Sequence, residues 1–234
     1  LGALSGVLKA NRNVNEVISC IMLNWISLYG VNSLLSPVKD PASPYTLALS
    51  KEAKQALLPT MGLNTLFTNN KNVTIAIPLA ILMAVVVWVL LTKTRLGYEL
   101  RATGLNRNAA RYCGMKERQN IILTMAIAGG LAGMGAAMLY LSGFEEWSCT
   151  QASLPAMGFN GIAAAFLGGL HPIGAVFSAF FIQHITIGGS FVDKTMYCTQ
   201  ISDLISAVII YLCGFVFFFR LWFNRYKDKK EEKK

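Results

Sequence analysis

A chain of 234 residues that is 54% hydrophobic and 14% charged lies far below the ~25% charge of a soluble domain, which excludes an ordinary water-soluble globule. The formal charge of +9 does not mark a nucleic-acid binder, because the cations stand in loops beside apolar runs and form no patch with interleaved aromatics. The five cysteines contain no C-x-x-C pair, and the two histidines, His171 and His184, lie far apart in sequence; no metal or cofactor is expected.

The chain begins in mid-pattern at Leu1-Gly2-Ala3-Leu4-Ser5-Gly6, without methionine, and the expectation is a fragment lacking earlier spans. Lys9 and Arg12 precede the first apolar run, 14–35. Glu16 stands at its start, where a carboxylate complements the helix dipole. Asn24, near its middle, reads either as an interhelical hydrogen-bonding residue or as part of a substrate pathway. Residues 36–72 are polar and carry Pro37, Pro41, Pro44 and Pro59. They are expected outside the membrane, with a short hairpin or helix of their own.

The second span, 73–92, has about 20 residues, enough for the hydrocarbon thickness. Pro78 lies near its start, where a membrane helix tolerates it. Lys93 and Arg95 close it and open a basic segment, 93–119. Within that segment Arg101, Arg107 and Arg111 cannot be membrane-buried, since each would cost about 2.5–3.5 kcal/mol at the bilayer centre. Asn106 reads as a helix N-cap, residues 108–111 as a short helix and Gly114 as its stop. The third span, 120–141, carries Gly129 and Gly133 in G-x-x-x-G spacing, which favours close approach of helix backbones.

Residues 142–155 hold Glu145, Glu146 and Trp147. Adjacent carboxylates do not face one another, and the stretch reads as a solvated exterior loop. The apolar runs 156–169 and 173–189 are short and are separated by Leu170-His171-Pro172-Ile173-Gly174. They read as a short or tilted pair, or as a broken or re-entrant helix. Gln183 and His184, polar among apolar neighbours, are candidates for a substrate pathway or for hydrogen-bonded packing. A short polar loop leads to a last span, 201–219, and a basic tail, 220–234, which is solvated or meets acidic lipid heads.

The fold class is therefore an all-α membrane protein, a polytopic transmembrane helix bundle with about six crossings. With both ends inside, Lys39, Lys51, Lys54, Lys71 and Lys194 fall outside, and the other sixteen of 21 Lys and Arg fall inside, as the positive-inside rule requires.

The stretch R-A-T-G-L-N-R-N-A-A-R-Y-C-G-M from Arg101 resembles the cytoplasmic coupling loop of permease subunits in bacterial ABC importers of the branched-chain amino acid, ribose and simple-sugar family. That pattern is R-A-x-G-x-N-x-x-A-A-R-x-x-G-I. Arg101, Gly104, Asn106, Ala109, Ala110, Arg111 and Gly114 match it, with Met115 in place of isoleucine. The resemblance continues at V-N-E-V-I-S-C-I-M-L-N-W, which is similar to the nucleoside-type branch with Cys20 in place of threonine, and at F-N-G-I-A-A-A-F-L-G-G-L-H-P-I-G.

It implies a translocation path for nucleosides, with simple sugars and branched-chain amino acids next. It also implies a separate ATPase subunit gripping the coupling residues (Arg107 included), a second permease, identical or related, and an extracytoplasmic substrate-binding lipoprotein. The sequence itself has no G-x-x-x-x-G-K-[ST] phosphate cradle. A secondary transporter or channel is the alternative, opposed by the scarcity of ionisable residues within the spans. A membrane-embedded enzyme has less support, since Glu145-Glu146 is its best acid–base set.

Overall fold

The computed structural model describes residues 1–41, 43–47, 54–59, 74–143, 145–155 and 157–188, together with 191, 204–205, 207–209, 211–212 and 215. It divides into two compact units, Leu1–Leu154 and Pro155–Lys234, and each is taken by itself. Among the described residues the regular structure is helical, with isolated bridges and no strand.

The first unit contains α1 (Gly2–Arg12), α2 (Glu16–Leu35), α3 (Ala76–Lys93), α4 (Arg95–Leu105), α5 (Arg107–Tyr112) and α6 (Glu117–Leu141). α2, α3 and α6 are long and apolar enough to cross a membrane. At 1.5 Å per residue they extend about 30, 27 and 37 Å, against about 30 Å of hydrocarbon. These are the spans expected at 14–35, 73–92 and 120–141, with α6 starting three residues early. Their apolar side chains, such as Ile26, Ile81 and Leu82, are exposed. So large an apolar surface is untenable in water and natural in lipid, where helices satisfy their own backbone groups. Among the described residues of the two units the buried apolar positions are few and mostly small, with Ala10 and Ala110 in the first and Ala163 and Ala164 in the second. Packing among small side chains is how helices associate without a hydrophobic driving force.

Asn15 caps α2, its Oδ1 accepting from Val17 N at 2.9 Å. Glu16 in the first turn forms an ion pair with Lys9 in the last turn of α1, so the dipoles of both helix ends are complemented by one contact. The chain turns between them at Asn13, in the left-handed region at φ 51°.

α1 is an element the sequence reading did not contain, and it is the main neighbour of α6. A Cβ at Gly6 would stand 2.9 Å from Ile122 Cα, and one at Gly129 would stand 3.0 Å from Gly2 Cα. The close-packed motif is therefore Gly2-x-x-x-Gly6 on α1 against Gly129 on α6. Gly133, the expected second member, has open space around it.

At the other end of α2, Asn32 Nδ2 donates to Gln151 O at 3.0 Å and Asn32 Oδ1 accepts from Trp147 Nε1 at 2.8 Å. Residues 38–47 and 147–149 exchange backbone bonds there, Thr46 N to Trp147 O at 2.9 Å and Cys149 N to Pro44 O at 3.0 Å. The polar connection expected to hold local structure thus has two 3₁₀ turns, Ser36–Val38 and Lys54–Ala56, and isolated bridges. Its remainder lies outside the described residues. Glu145 and Glu146 are exposed, as expected of a solvated loop.

The second unit is built on α7 (Met157–Leu167) and α8 (Pro172–Gly188). α7 ends in a Schellman turn: Gly169 N donates to Phe166 O at 3.0 Å and Leu170 N to Ala165 O at 2.9 Å, with Gly169 at φ 67°. Gly168 and Gly174 bring the two backbones together, since a Cβ on Gly168 would stand 2.6 Å from Gly174 C. Buried Ser178 Oγ donates to Ala164 O at 2.5 Å across the pair. α7 and α8 thus form a closed hairpin of short apolar helices within the runs expected at 156–169 and 173–189, whose residues 156 and 189 lie outside the described residues, and α7, at about 17 Å, reaches about half the hydrocarbon. The span expected at 201–219 is described only at 204–205, 207–209, 211–212 and 215, all helical, and the tail 220–234 lies outside the described residues.

Candidate functional site

The basic segment 93–119 is two helices and two turns. Thr94 ends α3 in an extended conformation and reverses the chain. Its Oγ1 donates to Leu90 O at 2.6 Å and accepts from Gly97 N at 3.1 Å, which caps α4. Gly97 lies flush on the end of α3, where a Cβ would stand 2.6 Å from Leu91 Cα. This elbow holds α4 tightly against the helix it leaves.

Asn106 ends α4 and caps α5, with Oδ1 accepting from Ala109 N at 3.1 Å. α5 closes at Gly114, φ 77°, where Gly114 N donates to Arg111 O at 3.0 Å and Met115 N to Ala110 O at 3.0 Å. The expected N-cap, short helix and glycine stop are all present. α4 was not expected as a helix.

Two side-chain links join this segment to the start of α6. Arg107 Nε donates to Glu117 Oε2 at 3.1 Å, with Glu117 largely shielded. Asn120 Nδ2 donates to Thr103 Oγ1 at 3.0 Å, and Thr103 Oγ1 donates onward to Glu99 O at 2.7 Å. Thr103 is 8% exposed and Asn120 5%.

The sequence-predicted residues therefore divide. Asn106 and Gly114 bound the helix, Ala110 is 3% exposed and packs inward, and Arg107 is engaged within the chain. Arg101, Gly104, Ala109 and Arg111 face outward. The most exposed large apolar groups here are Leu105 and Tyr112, 87% and 92% exposed, which the motif did not single out. These two bulky side chains, Leu105 just ahead of α5 and Tyr112 at its last position, lie outside the three span-length helices and form a surface suited to a protein partner. Thr103, Glu117 and Asn120 were also missed, because a link across ten or seventeen residues leaves no local pattern.

Of the pathway candidates, Asn24 is exposed on α2 and lines a groove of ≈ 580 Å³ in the first unit, with Ser5, Cys20, Ser27, Gly129 and Gly130. Gln183 and His184 are exposed on α8 in the second unit. His184 stacks on Phe180 with centroids 5.9 Å apart.

The family described as branched-chain amino acid transport system / permease component matches residues 1–214. The chain is 33% identical over 97% of its length to the guanosine ABC transporter permease protein NupP of Bacillus subtilis. It is 30% identical over 98% of its length to the nucleoside ABC transporter permease protein NupB of Lactococcus lactis. It spans 64% of the length of each. A glucose ABC transporter permease protein of Haloferax volcanii is 27% identical over 87% of this chain and 54% of that protein. No solved structure matches.

Proposed function

Because the chain belongs to the family of branched-chain amino acid transport system permease components, we propose that it is the membrane-embedded permease subunit of an ATP-driven importer of nucleosides. The observation that carries the reading is the capped helix α5, bounded by Asn106 and Gly114 and presented between two span-length helices. The substrate class is supported by the two relatives named for guanosine and nucleosides, each matched over almost this whole chain.

In this reading the segment 93–119 faces the cytoplasm, where the excess of Lys and Arg belongs. A separate ATPase subunit seats α5 against Leu105, Ala109, Arg111 and Tyr112. A second permease completes the path, and an extracytoplasmic binding protein delivers the nucleoside. Closure of the ATPase displaces α5, and the spans exchange between inward-open and outward-open packings. The nucleoside biases that exchange by interacting differently with the two states. Asn24, Gln183 and His184 are the polar groups proposed along the route.

The test of substrate class is uptake of labelled guanosine by cells expressing the assembled transporter. Unlabelled adenosine or uridine should compete and glucose should not. Competition by glucose with none by nucleosides would replace the nucleoside reading with a sugar one.

A further inference from the structure

The loop helices can act as a lever only if they are stiffly joined to a span; a loose joint would absorb the displacement. We infer that the buried Thr103–Asn120 hydrogen bond is that joint, a transmission link that makes α4 and α5 move with α6. The inference rests on the importer reading above and names the positioning residues of that same site.

Both partners are buried, and the bond is one step of a chain from Asn120 Nδ2 through Thr103 Oγ1 to Glu99 O. Thr124 Oγ1 donates to Asn120 O at 2.8 Å and ties the same residue into the next turn of α6. The Arg107–Glu117 pair at 3.1 Å braces the joint from α5. Beyond the joint, α6 carries Gly129, which packs on Gly2 of α1 and lines the groove that holds Asn24. A displacement of α5 thus reaches the walls of that groove through α6, with one buried polar contact at the entry. Removing the Thr103 hydroxyl leaves the Asn120 amide N–H without its acceptor in a site closed to water. It thereby loosens α4 from α6, leaving the Arg107–Glu117 pair as the remaining side-chain brace, while the outward face of α5 is unchanged.

The test measures nucleoside transported per ATP hydrolysed in proteoliposomes containing the complete complex. This ratio does not move when a variant merely reduces the amount of folded permease. Thr103→Val, equal in shape, should lower the ratio by about tenfold while the ATPase still co-purifies. Thr103→Ser should keep it, and the exchanged pair Thr103→Asn with Asn120→Thr should recover most of it. A wild-type ratio in Thr103→Val overturns the inference and leaves the importer reading standing. A loss that neither Thr103→Ser nor the exchanged pair repairs also overturns it, because the hydroxyl bond is then not the cause. A wild-type complex with no ATP-dependent uptake of guanosine or of glucose sinks the importer reading itself, before any variant is compared.

Discussion

Ala109 and Ala110 are neighbours in one motif, yet they face opposite ways. Ala109 is exposed and Ala110 is buried against the rest of its segment. Nothing in the sequence separates them, because which of two adjacent alanines turns inward depends on how α5 leans on α4 and α6. Asn106, in contrast, was legible: a cap is a bond to a backbone N–H three residues on, and short-range geometry decides it. The buried alanine gives a prediction. Ala110→Glu places a carboxylate without a partner in a closed site, at a cost on the order of a few kcal/mol. The variant should show reduced abundance in membranes and a lower melting temperature in detergent, before any question of coupling arises. Wild-type abundance and melting would mean that Ala110 is not held as described.

Helices α2, α3 and α6 were legible as uninterrupted apolar runs long enough to cross hydrocarbon, and their bounds moved by only a few residues. α1 and α4 were not. Each has 11 residues, each is marked by glycines that argue against a helix, and each is held in place by packing on a neighbouring element. Glycine is a poor helix former on its own; at Gly2 and Gly6, with α6 alongside, it is the residue small enough for that separation. Gly6→Val should therefore force α1 away from Ile122 and lower the melting temperature of the purified permease by several degrees. Gly133→Ala, with open space around it, should leave melting unchanged or raise it slightly through better helix propensity. Equal loss in both variants would return the close approach to the Gly129–Gly133 stripe.

At the scale of the whole molecule, the family was legible because the ordered Gly, Asn and Ala-Ala positions of 101–114 are spaced by the needs of one small helix, and the match over residues 1–214 bears it out. The joint to α6 and the exposed Leu105 and Tyr112 were not legible, since they depend on contacts between elements that no local pattern records. The proposed orientation, with 93–119 on the cytoplasmic side, has a direct test: Cys113, exposed beside α5, should resist a membrane-impermeant thiol reagent in intact cells and react once the membrane is opened. Labelling of Cys113 in intact cells would invert the topology.

The proposed importer requires that α5 receive the work of ATP hydrolysis. It is tested most directly by one paired measurement on Ala109→Glu and Arg111→Glu, which alter only the outward face of that helix: permease abundance in the membrane, and the stimulation of ATP hydrolysis by nucleoside-loaded binding protein in the reconstituted complex. The expected result is wild-type abundance with stimulation lost in both variants. Wild-type abundance together with wild-type stimulation in both would contradict it.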